Sequence, residues 1–579
     1  MAFVGSIIRA RFPFNARLIF LAGYLSLIGG CSVSRAPDSL PHKPQLRSAI
    51  IDLVSQLPAS DAQDSERINA AIVRWGPAGI REICKMLLPP GVGDDTKFRL
   101  ALSGLAKYVT RPGAEAERVL FANAVTAALE SESETEVQSF LIRQLQFAGK
   151  GESVAALGKY VLAERLAGPA VQALLMIGTP EAEAKLLQAL PHAEGQNWVA
   201  VIQALGELRS AASAQQLLQD TESKDPNIHM AALYAVANIG DPSAGEALAR
   251  AMGETKGNQQ TKLASLYLLF ARRLSETGHV DRCIEICRSL LENQGAGHPV
   301  HVRTAALGTL VSVLAEDALP DLLAATDSND DELIAAALEL AHRISGEAAT
   351  QRWIEKMEMA SPAVRARIMD MLGRRGDGTA LPAVLAALKD EDQAVRLASI
   401  QAAARLGGND ALPSILEVLK SSGRPDEINA VKEVLIRYKG EQVLSSIAES
   451  LSEGYSQAQV ALLEILAARH AKEHLDEVFS LTKSDDPSVR LAAIRALEYL
   501  AGEDDLAGMV ELLLHAEEGP EKSAVQRVIV AVAKSSSAPE HHTDHLLAVL
   551  KDLNWNERGE ILTVLARIGG GEALSVVVA

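Results

Sequence analysis

Aromatic residues are scarce in this chain: Phe, Trp and Tyr together make up 4% of its 579 residues. Base-stacking surfaces and aromatic-rich β-architectures need rings that are not available here. The 48% hydrophobic content rests instead on Ala, Leu, Val and Ile, which suit close-packed helices. Cysteine is equally rare, with 4 in the chain, so the fold is not stapled by disulfides. Positive charge is in deficit. There are 56 Lys and Arg against 74 Asp and Glu, a net charge of -18, which argues against nucleic acid as a partner because displacing phosphate counterions needs a basic surface. After residue 30 every apolar stretch is interrupted by charge within a few residues, so nothing later reads as a membrane span. What the chain has is length. A single hydrophobic core stops growing near about 250–300 residues, so the sequence requires several domains or an elongated array.

The first 30 residues stand apart. They hold Arg9, Arg11 and Arg17, no acid, and then the apolar run from Leu18 to Gly30. That run is too short to cross a bilayer as an ordinary helix but suits the core of an export signal. The segment Ile28-Gly29-Gly30-Cys31 resembles the lipobox of bacterial lipoproteins, with Ile28 where Leu is usual. The resemblance implies cleavage before Cys31 and lipidation of that residue. An ordinary signal peptide with a chance cysteine, or a short anchor, is the competing reading. Residues 31–45 are polar and Pro-rich and read as a tether. The soluble body then runs over 46–579, held at the cell envelope by lipid. Ser32 is not the Asp of the inner-membrane retention signal, which favours the outer membrane where a host has two.

The other cysteines are Cys84, Cys283 and Cys287. The last two lie four apart in an amphipathic helical stretch, without the CxxC or CxxCH spacing of zinc, redox or haem motifs, and read as core thiols.

The body is repetitive. Ser361-Pro362-Ala363-Val364-Arg365, Asp392-Gln393-Ala394-Val395-Arg396 and Asp486-Pro487-Ser488-Val489-Arg490 each open an Ala/Leu-rich helix, followed by a glycine turn and a second helix. Arg303, Arg365 and Arg396 are separated by 62 and 31 residues, and Pro320, Pro382 and Pro413 follow at the same intervals, so the period is 31. Within one unit Asp392 is an N-cap, and Val395, Ala398, Ile400, Ala403 and Leu406 form a helical stripe. Gly407-Gly408 supplies a left-handed turn, and Leu412, Ile415, Leu416 and Leu419 line the second helix. Helices of a dozen residues are marginal alone and gain stability by stacking.

This pattern resembles HEAT repeats, in the shorter form found in phycobilisome lyases and many bacterial scaffold proteins. The resemblance implies an all-α fold, an α-solenoid of two-helix units over most of 46–579. A period of 31 allows about 17 units and an arc of roughly 100 Å or more with a long concave face. Residues 260–293 are more similar to a tetratricopeptide hairpin. Arg303, Arg365, Arg396 and Arg490 look like a binding row, but in such repeats this position bridges adjacent units, which makes them a structural ladder. His229 and Ile334 depart from the pattern.

Three chemical readings compete with a scaffold. His470-Ala471-Lys472-Glu473-His474 matches the H-x-x-E-H of inverted zincin peptidases, but the repeat register puts it in an inter-helix turn, whereas zinc chemistry needs one continuous helix. His541, His542, Asp544 and His545 are the densest group of metal-ligand types, and they also read as exposed polar residues opening a helix. Deoxyhypusine hydroxylase, a HEAT enzyme, uses His-Glu pairs, and no such dipeptide occurs here. No phosphate-binding loop or nucleophile elbow is present. The expectation is a non-enzymatic scaffold or adaptor that takes protein partners and no cofactor or nucleic acid. The alternative is a lyase-type or metal-handling solenoid with a bound group. The last half-unit, Glu572 to Ala579, is apolar and uncapped, which leaves open a pairing with another chain.

Overall fold

The computed structural model describes residues 43–292, 298–440, 442–535 and 543–578, and every regular element among them is helical. The export signal, Cys31 and the tether up to residue 42 lie outside the described residues. The first helix, Lys43–Val54, starts three residues before the expected edge of the tether at 45, with Pro44 in its first turn, where a missing N–H costs nothing. Among the described residues no helix is long and apolar enough to cross a membrane.

The chain divides into two units, residues 1–185 and 186–579. In the first, helices follow in pairs, Ala62–Arg74 with Gly76–Cys84, Thr96–Val109 with Glu115–Ser131, and Thr135–Ala148 with Gly151–Leu157. Buried Arg118 ties two of these pairs together. It donates to the Ala148 carbonyl at 2.6 Å and to Glu152 at 2.5 Å.

In the second unit the first helices of successive pairs, here the A helices, are Gly195–Glu207, Pro226–Ile239, Asn258–Glu276, Val300–Leu314, Asp331–Leu340, Pro362–Arg375, Gln393–Leu406, Pro425–Arg437, Ser456–Ala468, Pro487–Leu500, Pro520–Lys534 and Trp555–Ile568. Most B helices between them are shorter, and five have seven residues: Ala214–Asp220, Leu319–Ala325, Leu381–Ala387, Val443–Glu449 and Leu475–Leu481. The regular spacing is interrupted by the long hairpin Asn258–Glu276 and Val280–Glu292, over the segment expected to resemble a tetratricopeptide hairpin.

Local chemistry sets each element. Asp225, Asp330, Asp392 and Asp486 accept hydrogen bonds from the first free N–H groups of their A helices, and Pro226 and Pro487 occupy the first helical position. Gly240 and Gly376 close A helices in the left-handed conformation, at φ 76° and 75°. The expected turn at Gly407-Gly408 is shifted. Gly407 is right-handed at φ -93°, and the positive φ of 41° falls on Gly408, which already begins the helix Gly408–Ser421. The reason is steric: a Cβ on Gly407 would sit 2.2 Å from Ala411 Cβ, so close approach rather than handedness selects that glycine.

Consecutive A helices lie in more extensive contact than consecutive B helices. The cause is visible at two crossings, where Gly206 meets Ala235 and Gly373 meets Ala402 so closely that an added Cβ would come within about 2.7 Å of the neighbour. Small residues let the axes converge, which is why Ala replaces rings in this composition. Apolar stripes then merge into one hydrophobic cluster from Leu307 to Ala573. Leu412, Ile415, Leu416 and Leu419 are buried in it, as are Val395, Ile400 and Ala403, while Ala398 and Leu406 are partly covered.

Candidate functional site

The repeated arginines lie near the N-terminal ends of A helices and reach across to the next unit. Arg303 pairs with Asp330 at 3.4 Å and Arg365 with Asp390 at 3.0 Å. Arg396 Nε donates to Glu427 at 2.7 Å, and Arg490 meets Glu517 and Glu521 at 3.1 Å each. Two of them also tie down the turn before their own helix. Arg396 donates to the carbonyls of Asp390 and Glu391, and Arg490 to those of Ser484 and Asp485. The row is thus engaged in joining units, with a guanidinium fork satisfying several acceptors at once. At the equivalent place His229 Nδ1 contacts the Thr221 carbonyl, and Ile334 is buried among apolar neighbours.

The Arg396–Glu427 pair is the most enclosed of these, with side-chain exposures of 8% and 3%. Burial pushes the Glu427 carboxyl up, but hydrogen bonds from Ser422 and Arg396 outweigh it and hold the group below the usual carboxylate range.

A second set of bridges runs along the C-terminal ends of A helices, and the sequence reading missed it. Asn238 donates to the Gly206 carbonyl at 2.9 Å, and Arg273 in turn donates to Asn238 at 3.0 Å. Arg375 donates to the Ala341 carbonyl at 2.8 Å, and Arg469 to those of Leu435 and Tyr438 at 3.0 and 2.9 Å. These groups satisfy carbonyls that a helix end leaves free, and the cations also complement the helix dipole. Their signal was an Asn or Arg at or near the end of some A helices, hidden because the residue type changes from unit to unit.

His541 and His542 lie outside the described residues, while Asp544 and His545 are exposed at the start of the helix Asp544–Val549. Among the described residues no three His, Cys, Asp or Glu side chains converge as a metal site. His470 stands in the turn after Ser456–Ala468 with φ 52°, edge-on to Tyr499, and His474 is one helical turn further on with Nδ1 3.4 Å from Glu477. The two imidazoles therefore do not share the continuous helix that zincin chemistry requires. Cys283 and Cys287 are fully buried on one helix and hydrogen-bond to each other, which together with burial pushes the Cys287 thiol up. Cys84 is likewise buried, its thiol pushed up to about 12.

Open space lies between B helices and, at one place, between A helices, where a cleft of about 360 Å³ separates Gln393–Leu406 from Pro425–Arg437. A groove of about 600 Å³ separates Leu381–Ala387 from Gly408–Ser421; Leu385, Leu388 and Val418 line it together with the carboxylates of Asp390, Glu391, Glu417 and Glu427 and the cations Lys389, Arg396 and Arg424. A second, about 400 Å³, lies between Val443–Glu449 and Leu475–Leu481, with Leu451 and Leu481 below and Glu449 and Glu477 at its rim. Repetition of a two-helix unit thus yields repeated clefts of similar kind along one layer.

Helix pairs stacked in register, with inter-unit bridges at both ends of the A helices, define an all-α repeat solenoid. Over residues 183–269, 350–436 and 442–530 the chain matches the HEAT-repeat family model. No curated protein matches the chain. Among solved structures it is similar to Kap121p (14% identity, 92% of this chain and 72% of that one, TM-score 0.37). It is also similar to the Kap95:Nup1 complex (12%, 90% and 82%, 0.41) and to importin beta (14%, 90% and 77%, 0.31).

Proposed function

We propose that this chain is a lipid-anchored, extracytoplasmic scaffold or adaptor that binds other proteins along its solenoid surface. The observation that carries the binding role is the division of labour within each unit. The conspicuous arginines and buried carboxylates are used in joining units, while open clefts recur between successive B helices. Such arrays offer long surfaces built from one reused element. The anchoring rests on the Arg-rich, acid-free N-terminus and on Cys31. Cross-linking in membranes followed by affinity purification of the full chain should recover one or more reproducible protein partners, and recovery of none would count against the binding role. Radiolabelled palmitate should enter the wild type and not Cys31→Ser. Retention of label by that variant would overturn the anchor while leaving the scaffold reading intact.

A further inference from the structure

The acidity of the second unit is sorted by layer. Its twelve A helices hold 19 Lys and Arg against 14 Asp and Glu. The B helices from Ala214–Asp220 to Asp544–Val549 hold 6 Lys and Arg against 17 Asp and Glu. Solubility alone would be served by acids on either layer, so it does not account for the sorting. Internal pairing sharpens the difference. The A-layer bases Arg303, Arg365, Arg396 and Arg490 are consumed by inter-unit bridges, whereas Glu417, Glu449, Glu477 and Glu511 on the B layer are exposed, Glu417 3.8 Å from Lys420 and Glu477 3.4 Å from His474 on their own units. Between residues 381 and 515 the B helices carry six acids and a single base, Lys420. The two clefts described above open in this same stretch; the second sets Leu451 and Leu481 beneath Glu449 and Glu477, while the first has Lys389, Arg396 and Arg424 among its four carboxylates.

An aliphatic wall under a carboxylate rim matches one kind of side chain, a long alkyl stem ending in a cation. Lys and Arg have that form, and they lay their methylenes on apolar surface while the head stays at the polar edge. We propose that the B-layer face of residues 381–515 docks a Lys/Arg-rich extended segment of a partner protein, with stems on Leu385, Leu388 and Val418 and heads toward Glu417, Glu449, Glu477 and Glu511. This deepens the scaffold reading and rests on it. The same face repels nucleic acid and anionic lipid headgroups, so a basic polypeptide is the complementary macromolecule.

The test uses the full chain and a fluorescent Lys-Ser repeat peptide, with a Glu-Ser repeat as control. Two variants remove equal charge, Glu417→Gln/Glu449→Gln/Glu477→Gln/Glu511→Gln on the B layer and Glu433→Gln/Glu464→Gln/Glu498→Gln/Glu557→Gln on the A layer. Circular dichroism first confirms that both retain helix content. The basic peptide should bind with affinity that falls as salt rises. The B-layer variant should weaken it about tenfold and the A-layer variant less than about twofold. Equal weakening by the two variants would show attraction by diffuse net charge, and absence of binding by the wild type would remove the site. Either result overturns this inference and leaves the scaffold reading to its own pull-down test.

Discussion

Arg396 and Arg365 occupy the same repeat position, yet their surroundings make them unequal. Removing the Arg396 head as Arg396→Met leaves the 3% exposed Glu427 carboxylate with only Ser422 and the largely exposed Arg424 as partners, and weakening a buried pair in this way costs on the order of 3 kcal/mol. Arg365→Met exposes a pair whose side chains are already 26% and 19% accessible, and its loss should be about 1 kcal/mol or less. Urea denaturation of the two variants measures the difference, and equal losses would contradict the role assigned to burial. Glu427 also makes a pH statement. Its folded carboxyl titrates below the usual value of 4.5, so it contributes stability that is present above that value and is lost as pH falls through the lowered folded pKa. Glu427→Gln should therefore melt below wild type at neutral pH, with the gap closing under acid conditions. A gap independent of pH would exclude this linkage. Among glycine-like positions, Ala315 holds φ 51° and ψ -117°, a conformation that L residues rarely adopt. Ala315→Gly should raise stability by about 1 kcal/mol, read as a rise in melting temperature.

At the scale of elements, the A helices form the closely packed side of each unit and the B helices the open one. Gly373→Val would drive a branched side chain into Ala402 and force the crossing of Pro362–Arg375 with Gln393–Leu406 apart, with a loss of about 2–3 kcal/mol or more. Gly378, in the turn after the same helix, has open space at its Cβ, and Gly378→Ala is expected to be near neutral. The pair of variants separates steric crowding from loss of backbone freedom. Amide exchange should distinguish the layers too: seven-residue B helices such as Leu381–Ala387 and Leu475–Leu481 should exchange faster than Gln393–Leu406 or Pro487–Leu500. Uniform protection across both layers would contradict that ordering.

For the whole molecule, the fold class was legible because a repeat states its own rule several times. Phase-locked Arg365, Arg396 and Arg490, together with capping Asp392 and Asp486, located helix starts that the structure reproduces. What resisted reading were properties that need two units at once. The partner of Arg396 is Glu427, 31 residues away, and neither residue names the other. The C-terminal bridges use Asn and Arg interchangeably, since either donor can reach a terminal carbonyl, so no motif marks them. Clefts between B helices, and the charge sorting around them, are features of a layer and appear only once helices have been assigned to one. In the first unit the spacing of helix starts is irregular, and no single 31-residue register runs through it.

The contact of Gly373 with Ala402 has a mechanical side. Within residues 186–578 the glycine–alanine crossings act like the pin of a leaf hinge, because the A helices cannot come closer and have little slack to give. Any bending between neighbouring units therefore pivots there and is felt chiefly as a widening or narrowing of the cleft on the opposite layer. An occupant gripping one cleft works against the stiffness of the spine, and the elastic energy is shared with the units on either side.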